Sequence, residues 1–252
     1  MRVTRFAHGG AVHWGIHEGD RLQRLPDGPF GDLRPAGTAI SLDDCQLLAP
    51  VAPGKLVCVG LNYRLHAIET NSDIPEVPVL FMCAPSAIIA DGAPIRLDST
   101  TDRIDFEAEI GIVIGRGGRN IAARDAGAHI LGYTCVNDVS NRALQRVDGQ
   151  WTRAKSFDTY KPVGPWIETK LMDAGDAAIR LTQNGTVRQS SNTSDMIFAI
   201  PDLIAFISGV MTLEPGDLII TGTPEGVGPM APGDRIEIEI EGIGTLSNPV
   251  VA

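Results

Sequence analysis

Residues 105–115 read Asp-Phe-Glu-Ala-Glu-Ile-Gly-Ile-Val-Ile-Gly, and their side-chain character alternates with a period of two. A β-strand has this period, because its successive side chains point to opposite faces of the sheet. Glu107 and Glu109 are therefore expected on the same face, about 6–7 Å apart along the strand. Because that separation allows both carboxylates to reach one hard cation, the segment predicts a strand that carries a candidate metal site.

A second segment provides a comparison for this pattern. Residues 235–241, Arg-Ile-Glu-Ile-Glu-Ile-Glu, also place their glutamates on one side, and we interpret them as a strand with one solvated face. The first segment differs, because its polar face continues into Gly111, Val113 and Gly115 and is therefore expected to be covered. Buried like charges repel each other unless a cation or protons neutralise them, which makes the first segment the better metal candidate.

Length and composition limit the class of protein. The chain has 252 residues, 43% of them hydrophobic, which is enough for one large domain with a small appendage and excludes a disordered chain. The apolar run near residues 203–213 is too short to span a bilayer, and the first residues lack the apolar core of a signal peptide. The four cysteines lack the spacing of a disulfide framework or zinc ribbon, so we expect a cytoplasmic protein with reduced thiols. The net charge of −10 argues against a nucleic-acid partner.

Turn residues punctuate the whole chain. Its 28 glycines and 17 prolines separate short aliphatic runs, which predicts strands joined by turns and only a few helices. We expect a small N-terminal β meander with a linker in residues 1–50 and a main domain in residues 51–252. The main-domain strands are predicted at residues 55–60, 105–115, 130–136, 218–221 and 235–240. The helices are predicted at residues 62–71, 122–128 and 194–210, the last with a kink at Pro201.

A third carboxylate, Asp138, follows the predicted strand at residues 130–136. Loops at strand ends are where sheet proteins place many of their ligands, although Asp138 taken alone is more simply interpreted as a turn residue. Two carboxylates from one strand and one from another, with the other coordination positions open, are typical of sites that hold Mg²⁺ or Mn²⁺ for a chelating substrate.

His66 and Glu69 stand three residues apart on a predicted helix and therefore share one face. A carboxylate beside an imidazole raises its basicity and fixes its tautomer, which gives a general base able to activate water. A casual ion pair on a surface helix is the alternative interpretation.

Four further polar residues follow along the chain. Arginine and glutamine recur at the same three-residue spacing in Arg142 and Gln145, and arginine suits bidentate capture of a carboxylate. Lys155 offers a compact charge for a developing oxyanion. The glycine-rich loop at residues 221–228, which contains Thr223, is either a plain turn or a holder for a carboxylate. Each of these residues alone also fits a solvated surface.

Taken in order, these segments resemble the fumarylacetoacetate hydrolase superfamily over residues 55–248. The motifs that carry the resemblance are Gly-Leu-Asn-Tyr-Arg-Leu-His-Ala-Ile-Glu at 60–69, Asp-Phe-Glu-Ala-Glu-Ile at 105–110, Asn-Asp-Val at 137–139, Lys-Ser-Phe-Asp-Thr at 155–159 and Thr-Gly-Thr-Pro-Glu-Gly at 221–226. The resemblance implies an α+β, β-rich fold, a mixed-β roll with a few helices. It also implies a homodimer and a catalytic domain over residues 51–252.

The resemblance assigns roles to the candidate residues. It implies Glu107, Glu109 and Asp138 as ligands of Mg²⁺ or Mn²⁺. It implies His66 and Glu69 as a base dyad on a mobile lid, and Lys155 as the stabiliser of an enolate or oxyanion. The positions that match substrate contacts at the keto-acid end are Arg142, Gln145 and Thr223.

Two positions depart from the family pattern. Cys83 stands where relatives often carry lysine, and Lys161 stands where relatives often carry a small or apolar residue. Both are expected to reshape the outer end of the pocket.

The function implied is a divalent-metal-dependent hydrolase that cleaves a C–C bond in a 2,4-dioxo acid of the acylpyruvate or fumarylpyruvate type through a metal-chelated enolate. His66, oriented by Glu69, would draw a proton from the attacking water. Decarboxylation of a 2-oxo diacid such as oxaloacetate, and isomerisation of a 2-hydroxydiene-dioate in aromatic catabolism, remain alternatives. A non-catalytic paralogue is disfavoured, because no metal ligand or dyad residue is lost. The partners expected are a small 2-oxo or dioxo acid and a second copy of the chain, with neither nucleic acid nor membrane.

Overall fold

The computed structural model describes residues 1–171 and 173–252. Strands dominate it and helices are few, which confirms the predicted β-rich α+β fold. The strands of the first fifty residues are β1 (Arg2–His8), β2 (Ala11–Glu18), β3 (Arg21–Arg24), β4 (Ile40–Ser41) and β5 (Gln46–Leu48). The strands that follow are β6 (Leu56–Gly60), β7 (Val79–Cys83), β8 (Ile88–Ile89), β9 (Ile95–Arg96), β10 (Ile104–Phe106), β11 (Ala108–Ile114), β12 (Ile130–Asn137), β13 (Ser140–Asn141), β14 (Lys161–Glu168), β15 (Ala178–Gln183), β16 (Thr186–Asn192), β17 (Leu218–Ile220), β18 (Gly228–Pro229), β19 (Arg235–Ile240) and β20 (Gly244–Val251).

The helices are short. They are α1 (Arg64–Glu69), α2 (Arg142–Asp148), α3 (Thr152–Lys155) and α4 (Ile200–Val210), with 3₁₀ turns at Leu42–Asp44, Pro85–Ala87, Ala123–His129 and Thr193–Asp195. Within residues 1–171 and 173–252, no helix is both long and apolar enough to cross a membrane.

The largest sheet joins the N-terminal strands to the main ones. Its strand order is β4-β3-β2-β1-β14-β12-β11-β17-β6-β7, with β5 on β1 and β8 on β14. Pairing of Val3 with Ile167 connects β1 to β14, so the predicted N-terminal meander continues the main sheet and does not stand apart from it. The boundary between residues 50 and 51 stays a prediction.

Two smaller sheets complete the fold. One has the order β16-β15-β19-β20-β9 and the other β13-β10-β18. In β19 the three isoleucines are buried whereas Glu239 is exposed and Glu237 half-buried, which agrees with the half-solvated strand inferred from the sequence.

The strand predicted at residues 105–115 is interrupted at Glu107, which corrects the sequence interpretation. β10 before it belongs to the three-stranded sheet, and β11 after it belongs to the large sheet. The Glu107 amide donates to Oδ1 of Asn137 at 3.0 Å, and the Glu107 carbonyl accepts from the Asp138 amide at 2.9 Å. Since these contacts replace a regular ladder, Glu107 lies at the bend where the chain passes from one sheet to the other.

Strand β11 is buried on both faces, as its sequence predicted. Ile110 and Ile112 belong to a core cluster that also contains Leu203 and Ile207 of α4, whereas Val113 belongs to a second cluster on the other face. Burial of this kind removes a large apolar area from water and fixes the register of the strand.

Helix boundaries differ from the sequence predictions. α1 is shorter than the predicted 62–71, and residues 123–129 form a 3₁₀ turn in place of an α-helix. The helix predicted at 194–210 begins only at Ile200, so Pro201 lies in its first turn, where its missing N–H is not needed, and does not kink it. The sequence patterns did not predict α2, which Asn141 caps by accepting hydrogen bonds from two backbone amides.

Candidate active site

Three buried carboxylates converge between the sheets. Glu107 comes from the bend, Glu109 from β11, and Asp138 from the residue after β12. One oxygen atom of each lies within 4.8 Å of the other two, and none of the three residues is more than 4% exposed. The structure therefore brings together the three residues that the sequence singled out, and their role as metal ligands stays a prediction.

Two cations neutralise Glu107. The Lys155 ammonium lies 2.7 Å from Oε2 of Glu107, and Nη2 of Arg142 lies 2.5 Å from Oε1. Burial raises the pKa of Glu107, but the charges of Arg142 and Lys155 outweigh it and bring that pKa to about 2. Burial lowers the pKa of Lys155, but the negative charges of Asp138 and Glu107 raise that pKa by more than burial lowers it. The amine therefore stays protonated.

Glu109 is in the opposite situation. Burial, followed by the negative charges of Asp138 and Glu107, raises its pKa well above the ordinary value. Among residues 1–171 and 173–252, no lysine, arginine or histidine forms an ion pair with Glu109, whose Oε2 accepts a 2.5 Å hydrogen bond from the Gly222 amide. A buried carboxylate without a counter-cation, beside two others, fits a hard divalent ion such as Mg²⁺ or Mn²⁺.

His66 and Glu69 form the hydrogen-bonded pair that the sequence predicted. Nδ1 of His66 lies 3.0 Å from Oε2 of Glu69, and the other oxygen of Glu69 accepts from the Gly226 amide at 3.0 Å. This arrangement assigns the proton to Nδ1 and leaves Nε2 as the basic nitrogen. Both residues lie on α1, whose role as a mobile lid stays a prediction.

A cavity of about 740 Å³ lies next to the dyad. His66, Arg142 and Gln145 line it together with Arg103 and Arg146. Arg142 also contacts Glu107, so one side chain that lines the cavity is bound to the acidic triad.

Arg142 is already engaged by protein groups. Its Nε lies 2.8 Å from Oδ2 of Asp105, Nη1 donates to Oε1 of Gln145 at 2.9 Å, and Nη2 lies 2.5 Å from Glu107. Arg142 and Gln145, which the family resemblance implies as substrate contacts, are hydrogen-bonded to each other. Asp105, a buried carboxylate that pairs with Arg142 and Arg103, is not among the residues predicted from the sequence. The signal was available, since Asp105 opens the same motif as Glu107.

Thr223 is held in place by Gln189, which the sequence did not indicate as a site residue. Gln189 of β16 is fully buried, donates to Oγ1 of Thr223 at 2.9 Å and to the Pro224 carbonyl at 2.8 Å, and accepts from the Ala108 amide at 2.9 Å. Gln189 thus ties the loop at residues 221–226 to the start of β11. No local sequence signal identifies it, because its contacts are all distant along the chain.

Cys83 and Lys161 do not lie at the outer end of the pocket, contrary to the expectation from the sequence. Lys161 is fully buried, and its ammonium lies 2.7 Å from Oδ1 of Asp138. Burial lowers the pKa of Lys161, but the Asp138 charge outweighs it and the pKa is raised. Cys83 is buried at the end of β7. Both residues are therefore buried, and Lys161 contacts a carboxylate of the candidate metal site.

Two family models together match nearly the whole chain. Residues 55–251 match the family described as fumarylacetoacetate (FAA) hydrolase C-terminal, and residues 1–50 match one described as Rv2993c-like, N-terminal. The chain belongs to the fumarylacetoacetate hydrolase family. This family includes isomerases, tautomerases and hydrolases, so the chain is a member of an enzyme family.

Three similar proteins illustrate the range of activities in this family. The structure of 5-carboxymethyl-2-hydroxymuconate delta-isomerase from Mycobacterium smegmatis is 46% identical, covers 100% of this chain and 99% of its own, and has a TM-score of 0.93. Oxaloacetate tautomerase YisK of Bacillus subtilis is 42% identical over 83% of this chain and 74% of its own. Maleylpyruvate hydrolase from Sphingobium sp. SYK-6, in complex with manganese(II) ion and pyruvate, is 31% identical over 100% of this chain and 99% of its own, with a TM-score of 0.83.

Proposed function

We propose that this family member is a Mg²⁺- or Mn²⁺-dependent enzyme that moves a proton at carbon 3 of a 2-oxo diacid, as a keto–enol tautomerase or isomerase. The observation that carries the proposal is that His66, paired with Glu69, and Arg142 line one cavity, while Arg142 also contacts Glu107 of the acidic triad. A proton-transfer group and a side chain bound to the candidate cation site therefore face the same space. The names of these relatives refer to oxaloacetate, a carboxymethyl-hydroxymuconate and maleylpyruvate, and each of these compounds carries at least two carboxylates.

The donor set fits a metal ion. A divalent ion held by Glu107, Glu109 and Asp138 would supply Lewis-acid polarisation of the 2-oxo carbonyl, which acidifies the neighbouring C–H. Carboxylate oxygens suit Mg²⁺ and Mn²⁺, and the manganese of the maleylpyruvate hydrolase structure supports the choice.

The chain's own residues account for the proton transfer. Glu69 accepts a hydrogen bond from the Nδ1–H group of His66, which leaves the lone pair on Nε2 free. Nε2 would take a proton from carbon 3 of the 2-oxo acid and then return it to the enolate oxygen. The Lys155 ammonium is held between Glu107 and Asp138, from where it would stabilise negative charge that develops on the substrate oxygen.

Hydrolysis, which the sequence analysis ranked first, is the second candidate. The same dyad would remove a proton from water, whose oxygen adds to the distal carbonyl of a 2,4-dioxo acid. The C–C bond then breaks, the electron pair passes to the enolate of pyruvate, and a carboxylic acid is released. The hydrogen bond between His66 and Glu69 favours this reaction as well, and the maleylpyruvate hydrolase relative supports it. Decarboxylation of oxaloacetate and the homodimeric state stay predictions.

One set of assays separates the reactions. Metal-free protein is supplied with Mg²⁺ or Mn²⁺ and tested on three substrates. With enol-oxaloacetate the loss of the enol is followed, with an acylpyruvate the cleavage of the C–C bond, and with keto-oxaloacetate the release of pyruvate. We expect the fastest turnover with the enol of oxaloacetate. The His66→Ala variant, loaded with the same ion, is the control. If the wild type does not accelerate loss of the enol beyond this control, the proposal fails; acceleration of C–C cleavage alone would support the hydrolase instead.

A further inference from the structure

The ammonium of Lys161 is enclosed by groups of the protein. It lies 2.7 Å from Oδ1 of Asp138 as an ion pair, donates to the Tyr160 carbonyl at 3.1 Å and also donates to the Lys155 carbonyl. These three protein groups surround the three N–H donors of the ammonium, two as hydrogen-bond acceptors and Asp138 as the ion-pair partner. Lys161 is fully buried, so its ammonium serves the protein interior.

Lys155 differs in this respect. In the part of the chain that the structure describes, its ammonium donates to Oε2 of Glu107 and to Oδ2 of Asp138, each at 2.7 Å. One N–H of Lys155 therefore stays available for the reacting molecule. The two lysines take opposite oxygens of the same Asp138 carboxylate, with Lys161 on Oδ1 and Lys155 on Oδ2.

We propose that Lys161 is a positioning residue that fixes the Asp138 carboxylate and the Lys155 backbone, so that Oδ2 of Asp138 and the Lys155 ammonium face the candidate metal site. This inference rests on the metal site of the proposed function. The ammonium of Lys161 holds Asp138 through one oxygen and holds Lys155 through its carbonyl, so a single side chain sets the position of a ligand and of a catalytic group. Residues that hydrogen-bond or ion-pair with the ligands of a metal strongly affect its affinity and the activity.

Cys83 lies on the face of β7 that is turned toward the site. Phe81 and Cys83 are two residues apart on β7 and share this face, and the Phe81 ring centroid is 5.2 Å from the Lys155 ammonium. The Cys58 thiol and then the Lys161 charge lower the pKa of Cys83 to about 7 in spite of its burial, which agrees with a position near Lys161. A lysine at position 83 would project from the same face of β7 and is expected to bring an ammonium back to this part of the site.

This neighbour relationship provides a rescue experiment. The variants are Lys161→Met, which keeps the length of the side chain without its charge, and the double variant Lys161→Met with Cys83→Lys. Lys55→Met is the matched control, because Lys55 also pairs with a buried aspartate, Asp217, at 2.9 Å but lies outside the site. The measurements are kcat on oxaloacetate, the Mn²⁺ affinity by calorimetry, and the EPR spectrum of bound Mn²⁺, which reports the arrangement of its ligands.

We expect Lys161→Met to lower kcat about 10- to 100-fold and to change the Mn²⁺ spectrum. The double variant is expected to regain kcat and the wild-type spectrum, whereas Lys55→Met keeps both throughout. If Lys161 served only folding, the folded Lys161→Met protein would keep the wild-type Mn²⁺ spectrum, and the double variant would have nothing to restore. If Lys161→Met does not fold, Lys161→Gln replaces it in both variants, since it keeps two N–H donors for the carbonyls without the charge.

Two results would overturn the inference while the proposed function stands. One is a folded Lys161→Met protein with wild-type kcat and spectrum. The other is a folded double variant as impaired as the single one, because an ammonium returned to the same space would then have no effect. A wild-type protein that binds no Mn²⁺ would overturn the metal site itself, and this inference with it.

Discussion

The backbone amide of Gly226 donates a hydrogen bond to Oε1 of Glu69 across 3.0 Å. The same loop, at residues 221–226, donates from the Gly222 amide to Glu109. One short loop therefore holds the carboxylate that orients the base on α1 and a carboxylate of the acidic triad. This shared support sets the position of the proton-transfer pair relative to the candidate metal site.

Removing the imidazole separates catalysis from metal binding. His66→Ala is expected to lower kcat by about 10²- to 10⁴-fold, the usual contribution of a general acid–base group. Mn²⁺ affinity is expected to stay near the wild-type value, because His66 is not among the three converging carboxylates. Steady-state kinetics and calorimetry measure the two effects. A variant that keeps its turnover would show that His66 is not the base.

Glu109→Gln is expected to abolish or severely weaken Mn²⁺ binding and yet to stabilise the metal-free protein. The substitution removes a buried charge that Asp138 and Glu107 repel, and the amide oxygen can still accept the Gly222 hydrogen bond. Each kcal/mol gained raises Tm by about 2–4 °C in a protein of this size. Calorimetry and thermal unfolding in chelator are the measurements. Glu237→Gln, on the half-solvated strand β19, is the control that should change neither quantity.

The pH dependence of the metal-free protein follows from the same carboxylate. The pKa of Glu109 is raised by folding above its ordinary value of 4.5, so its contribution to stability is complete below pH 4.5 and is lost as pH rises through the folded pKa. The Tm of Glu109→Gln should therefore exceed that of the wild type by an amount that grows as pH rises above 4.5. Below pH 4.5 the two Tm values should be equal. Thermal unfolding in chelator across this range measures the difference. A gap that is constant with pH would contradict the inferred burial of charge.

Glu107 has the opposite linkage. Folding lowers its pKa from 4.5 to about 2, so its contribution to stability is present above pH 4.5 and is lost as pH falls toward 2. The two glutamates of one sequence motif thus respond to pH in opposite directions. The difference arises because Arg142 and Lys155 contact Glu107, whereas Glu109 has like charges as neighbours.

The sequence predicted those parts of the site that depend on local spacing. The dyad on α1 follows from a three-residue helical spacing, and Glu107 and Glu109 follow from the period of a strand. The break at Glu107 was not predictable in this way, because it depends on Asn137, thirty residues further along the chain. Gln189, and the contact of Lys161 with Asp138, were not predictable for the same reason, since these partners come together only when the strands pair.

The cations at the mouth of the cavity are expected to select diacids. Arg142 is committed to Asp105, Gln145 and Glu107, whereas Arg146 is exposed and lines the same cavity. Arg146→Gln should raise KM for oxaloacetate by about two- to fivefold, as expected for one exposed ion pair. KM for an acylpyruvate that lacks the second carboxylate should not change. An equal change in both KM values would exclude recognition of the distal carboxylate.

The loop that supports both halves of the site can be tested at one glycine. Gly222 has φ of +96°, and a Cβ there would lie 2.8 Å from Cβ of Asn62, so Gly222→Ala has both backbone strain and a clash. We expect a loss of stability of more than about 1 kcal/mol and weaker Mn²⁺ binding, because the amide that fixes Glu109 must shift. Gly209→Ala is the control, since Gly209 lies in α4 with nothing within 4 Å of an added Cβ, and alanine favours a helix. Thermal unfolding should show a lower stability for Gly222→Ala and a slightly higher one for Gly209→Ala. Calorimetry should show a loss of metal affinity for Gly222→Ala only. Equal metal affinity in a folded Gly222→Ala protein would show that this loop does not position Glu109.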